Sequence, residues 1–162
     1  MKISNSNEDN MLILGVIALI ITTVYIVKSC KHYKINEDIQ LCGLALLMIL
    51  WILFYKLCLY IFEVIEKRDP LLRNVHEYIP VDRWIFSHFM VFMLAGAVYP
   101  KQGLKLFGIG VIWEIIEVIL GYIYNNKSDF TWWYGSYKDP IANGLGILVG
   151  IYVLRPIYDK MV

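Results

Sequence analysis

Two carboxylates lie inside one long apolar run, Ile109-Gly-Val-Ile-Trp-Glu114-Ile-Ile-Glu117-Val-Ile-Leu120. The run has the length and composition of a membrane span, and a carboxylate at bilayer mid-depth costs about 2.5–3.5 kcal/mol on insertion scales. At i,i+3 the two side chains are about 60° apart on a helix and share a face. Carboxylates that close repel unless one is protonated, a base such as Lys56 or Arg73 neutralises them, or a cation sits between them. The pair therefore reads as an acid/base couple or a cation site, unless it is simply neutralised. Hard divalent cations such as Ca²⁺ want several oxygen ligands, and Mg²⁺ or Mn²⁺ draw on similar donors.

Two neighbouring apolar runs carry further polar residues. His88 lies about one turn inside the run that opens Asp82-Arg83-Trp84. An imidazole there either hydrogen-bonds a neighbouring helix or works as a general base, for which its ordinary pKa is suited. The last run begins Asp139-Pro140-Ile-Ala-Asn143-Gly-Leu-Gly146, and Gly150 follows. Asp139, Asn143, Gly146 and Gly150 form one helical stripe. Pro140 at a first helical position would make Asp139 an N-cap. The Gly-x-x-x-Gly spacing lets another helix approach closely. The stripe is expected to face the Glu114/Glu117 span, bringing Asp139 and Asn143 to the glutamates, with His88 entering from the preceding span.

These residues need helices to position them. The chain has 162 residues, 59% of them hydrophobic, in blocks of about twenty rather than in strand-like alternation. The reading is an all-α, polytopic integral membrane protein forming a single membrane domain, 1–162. Five spans are expected, at about 11–27, 39–62, 84–99, 104–124 and 139–154, with Pro156 ending the last. Residues 63–82 read as an interfacial segment broken at Pro70 and Pro80. Asn36-Glu37-Asp38 resembles a helix cap, and Pro100-Lys-Gln-Gly103 a tight turn. Lys and Arg fall evenly on the two sides, so no orientation follows. A net charge of +1 gives no general attraction to nucleic acid. Cys30, Cys42 and Cys58 read as small buried residues, and the polar N-terminus carries no cleavable-signal pattern.

Outside the apolar runs, Asp69-Pro70-Leu-Leu72-Arg73 is either a solvated charge cluster or a lipid-phosphate contact made by the Arg73 guanidinium. Trp132 and Trp133 suit a membrane-interface belt.

Taken in order, Asp69-Pro70-x-Leu72-Arg73, His88-Phe89, Trp113-Glu114-x-x-Glu117, Trp132-Trp133, Asp139 and Asn143-x-x-Gly146-x-x-x-Gly150 resemble the base-exchange phosphatidylserine synthases of eukaryotes. The resemblance covers about residues 66–150. It implies an integral endoplasmic-reticulum enzyme that exchanges a phospholipid head group for serine or another amino alcohol and requires Ca²⁺. By that resemblance His88 would activate the serine hydroxyl. Glu114, Glu117 and Asp139 would hold Ca²⁺ or position the head group, with Asn143 in support. Asp69, Arg73 and Trp133 would join the substrate contacts, and a homodimer is compatible with the family. The ending Asp139-x-x-x-Asn143-x-x-Gly146-x-x-x-Gly150 also resembles VanZ-like small membrane proteins, which implies lipid binding without serine exchange. A small ion or proton transporter relaying cations through the glutamates is a third reading.

Overall fold

The computed structural model describes residues 5–61, 71, 74–76, 78–124 and 136–161. They are mostly helical, and their contacts group into two compact units, Met1–Val64 and Ile65–Val162.

The first unit is a helical hairpin of α1 (Asn5–His32) and α2 (Glu37–Ile61). Lys34 takes a left-handed φ of 53°, and the Ile35 N–H returns to the Cys30 carbonyl at 3.0 Å. That is the closing pattern of a Schellman turn, here built without glycine. Asn36 then caps α2 as its sequence suggests, its Oδ1 accepting from the Asp38 N–H at 2.7 Å. The Trp51 indole N–H donates to the Gly15 carbonyl at 3.3 Å and joins the two helices.

The second unit begins with a short ribbon. Strand β1 (Asn74–His76) pairs antiparallel with β2 (Ile79–Asp82), Asn74 opposite Asp82 and His76 opposite Ile79, with an irregularity between. This corrects the all-helical reading over the end of the expected interfacial segment. Pro80 does not break a helix; it lies within β2, and a two-stranded ribbon tolerates its missing N–H at an edge. Asp82 ends the ribbon and caps α3 (Arg83–Val98), its Oδ1 accepting from the Ile85 N–H at 2.8 Å. A 3₁₀ turn, Pro100–Gln102, leads directly into α4 (Gly103–Tyr124). Helix α5 (Lys138–Val149) follows.

Pro156 does not end the last helix. A single π turn, Gly150–Leu154, joins α5 to α6 (Arg155–Met161), and the Arg155 N–H reaches back to the Gly150 carbonyl. In an α-helix the proline ring would strike the carbonyl four residues earlier. The wider turn relieves that conflict and lets the helix continue.

Among the described residues, three helical stretches are long and apolar enough to cross a membrane: Glu37–Cys58, Pro100–Ile123 and Lys138–Ile157. Ile17–Cys30 and Arg83–Val98 are shorter apolar helices. The distribution of side chains agrees with a lipid environment. Ile112, Ile115, Val118 and Ile119 on α4, and Leu145 and Leu148 on α5, are exposed. The largest fully buried side chains are polar: Glu117, Asn143 and Asp139. A soluble domain of this size would show the reverse. With no water to hide from, apolar residues can face outward, and helix association relies on close packing and polar contacts.

Close packing is supplied by the glycine stripe, but on a different partner from the one expected. Helix α5 lies against α3 rather than chiefly against α4. A Cβ on Gly146 would overlap the Phe89 carbonyl, and one on Gly150 the Met93 carbonyl. From the other side, a Cβ on Gly96 would come within 2.8 Å of the Ile147 carbonyl. Small residues on both helices thus bring backbone onto backbone. The Arg155 guanidinium, donating to the Ala97 carbonyl at 3.3 Å, ties α6 to the end of α3.

Candidate functional site

The stripe on α5 delivers Asp139 and Asn143 to the centre of the second unit, where both are 0% exposed; Glu117 is 1% and Glu114 6% exposed. Helix α3 brings His88 to the same place. The His88 Nδ1 lies 3.0 Å from the Asn143 Oδ1 and 3.7 Å from the Glu114 Oε1. One ring nitrogen of His88 and one carboxylate oxygen each of Glu114 and Asp139 fall within 4.8 Å of one another. The Trp84 ring meets the imidazole edge-on at 5.3 Å between centroids and limits its rotation. Glu117, one turn along α4 from Glu114, acts electrostatically on both Glu114 and Asp139.

Asp139 is not the cap its sequence context suggests. Helix α5 begins at Lys138, one residue earlier than expected, and Asp139 sits within its first turn. Tyr137 holds the cap position without a side-chain bond, and Ser136 before it, which the sequence reading missed, takes up two of the first amides: its Oγ accepts from the Lys138 N–H at 3.2 Å, and its carbonyl from the Asp139 N–H at 3.1 Å. The signal was present, because Ser136-x-x-Asp139 is the spacing of a capping box. In such a box the acidic side chain returns to the cap's own N–H. Here that N–H bears on Glu114 instead, and neither Asp139 oxygen has a hydrogen-bond partner among the described residues.

A buried carboxylate with no donor is expensive, since even a neutral polar group buried unpaired costs roughly 1–3 kcal/mol. The donor set fits a divalent cation in composition and span. Two ligand atoms bound to one Ca²⁺ are separated by at most about 5 Å, and the three groups fall inside that limit. Two carboxylates and an imidazole equally suit Mn²⁺.

Among the described residues, a cleft of about 380 Å³ reaches Glu114 of this cluster. Glu114 and Ser136 are its polar lining, with Val111, Ile115, Tyr137 and Pro140 among its walls. It lies between α4 and the start of α5, beside the outward apolar face of α4.

His88, Glu114, Asp139 and Asn143 are thus brought together, with Glu117 adjacent. Asp69, Arg73 and Trp133 lie outside the described residues. No family model, curated protein or solved structure matches the chain.

Proposed function

We propose that the chain is a phospholipid head-group transferase of the base-exchange kind, working at membrane depth with a divalent cation. The observation that supports this best is the meeting of an imidazole with two buried carboxylates whose oxygens lack hydrogen-bond partners among the described residues, one of them lining a cleft. In this reading the described helices belong to a bundle of five spans, seated in the endoplasmic-reticulum membrane if the chain is eukaryotic. The incoming alcohol, serine or another amino alcohol, attacks the phosphorus of a phosphodiester. A new O–P bond forms, the O–P bond to the old head group breaks, and the proton of the incoming hydroxyl passes by way of His88 to the departing alkoxide. A bound cation, Ca²⁺ or else Mg²⁺ or Mn²⁺, would neutralise the phosphoryl oxygens. Glu114 and Asp139 would hold it, with Glu117 behind them, while Asn143 sets the imidazole. Arg73, together with Asp69 and Trp133, would engage the phosphate and head group.

Protein reconstituted in phosphatidylcholine vesicles with Ca²⁺ should incorporate labelled serine or ethanolamine into lipid. His88→Ala and Glu114→Gln should each lower the rate by about 10²-fold or more, the usual contribution of a positioned base, with helicity unchanged. Folded wild-type protein that incorporates no amino alcohol under any divalent cation would overturn the proposal.

One observation favours a second reading. Glu114, Glu117 and Asp139 act on one another's charge inside one membrane unit, as carboxylates along a cation path do. Cation or proton flux in liposomes that is lost in Glu117→Gln, without head-group exchange, would establish that alternative.

A further inference from the structure

The Nδ1 of His88 faces two acceptors. The Asn143 Oδ1 is 3.0 Å away and the Glu114 Oε1 3.7 Å. An amide carbonyl oxygen cannot donate, so a ring nitrogen that meets the Asn143 Oδ1 at this distance is satisfied by carrying the proton itself. We infer that Asn143 is a positioning residue which holds neutral His88 as the Nδ1–H tautomer, leaving the Nε2 lone pair as the base. The inference rests on His88 being the base in the reaction proposed above.

The rest of the fold protects this arrangement. Asn143 is fully buried on α5, and Gly146, one turn on, lies against the Phe89 backbone beside His88. The close approach of the two helices therefore sets the length of the His88–Asn143 contact. On the opposite side stands Gly110 of α4. A Cβ there would come within 2.7 Å of the Asn143 Nδ2 and 2.9 Å of the Phe92 Cζ. Gly110 thus leaves the space that the amide occupies. The Asn143 side chain is held from α3 on one side and given room by α4 on the other, and none of its burial is needed for a helix cap. Backbone or carboxylate acceptors commonly fix the reactive nitrogen of a histidine by bonding the other one. An amide carbonyl does the same here and adds no further charge to a site already rich in carboxylates.

The test reads the tautomer directly and does not depend on turnover. Protein labelled with ¹⁵N-histidine, in lipid nanodiscs with chelator and mildly alkaline buffer, contains three histidines, and His88→Gln identifies the His88 signals. Wild type should show Nδ1 as the protonated nitrogen and Nε2 as the bare one. Asn143→Asp, which keeps the acceptor, should retain that pattern. Asn143→Ala should shift His88 toward the Nε2–H form, as should Gly110→Ala by crowding the amide. Exchange should fall roughly 10–100-fold in Asn143→Ala, the usual loss on removing a group that orients a reactive histidine, and recover in part in Asn143→Asp. A wild-type His88 protonated at Nε2, or an unchanged tautomer in folded Asn143→Ala, overturns the inference. The expected tautomer pattern in a protein that exchanges no head group would leave the positioning role standing and remove the reaction assigned to it.

Discussion

Replacing Asp139 by asparagine should leave the melting temperature unchanged or raised and, on the function proposed above, should abolish head-group exchange. A capping aspartate would behave in the opposite way, since removing a cap costs about 0.5–2 kcal/mol. The difference follows from where the donors go. Ser136 already serves the start of α5, and the Asp139 oxygens accept nothing among the described residues. They stand near Glu114 and Glu117, so the native fold carries acid–acid repulsion that asparagine relieves. Stability given up at one residue for the sake of function is a familiar signature of a working site. Cation linkage sharpens the test. A cation that binds only the folded protein stabilises it by about 2.7 kcal/mol at one hundred times its dissociation constant. Wild type should therefore melt higher with added Ca²⁺ or Mn²⁺, and Asp139→Asn should lose most of that response. A clear drop in melting temperature for Asp139→Asn without cation would make the residue structural, and the ligand reading would fail with it.

Gly150→Ala, at the start of the π turn, should destabilise the second unit more than a methyl added at either α5 glycine, and on the function proposed above it should impair exchange from a distance. The new Cβ would overlap the Met93 carbonyl and lie 2.9 Å from the Ala97 amide nitrogen. Both are backbone atoms of α3, so no side-chain rotation relieves the clash and the helices must part. Overpacking of this kind costs roughly 1–3 kcal/mol. Gly108→Ala is the matched control, because no atom lies within 4 Å of the added carbon. It should be neutral or stabilising, by up to about 1 kcal/mol, from helix propensity alone. Thermal unfolding of both variants in the same lipid separates the outcomes. Equal melting temperatures would mean that α3 and α5 are not in backbone contact.

The sequence made the site more legible than the packing. Apolar blocks of span length marked the helices, and acids inside such blocks are costly enough to stand out. The stripe from Asp139 to Gly150 was legible because helical periodicity places those residues on one face. Its partner was not legible: a Gly-x-x-x-Gly pattern says that some helix comes close without saying which one. The matching surface on α3, with Gly96 and Ala97 among larger residues, carries no equally regular spacing. The ribbon over Asn74–Asp82 was missed because its strands are short and bounded by a proline that reads as a breaker. Ser136 was missed because Pro140 drew attention to Asp139 as the cap, although the Ser-x-x-Asp spacing was there to be seen. The π turn left no mark beyond Pro156, whose ring suggested a stop where the chain instead widened one turn.

That widened turn acts as a phase shifter. One surplus residue between Gly150 and Leu154 rotates everything beyond it by about 100° relative to an unbroken helix. The offset determines which way Arg155 projects, and with it the tie to Ala97. Deleting a single residue there would re-aim the C-terminal segment while leaving Asp139 and Asn143 on their original bearing. The molecule is therefore divided along its last helix into a portion whose azimuth is fixed by chemistry and a tail whose azimuth can be reset independently. Lineages could vary what the tail faces without disturbing the acids above it.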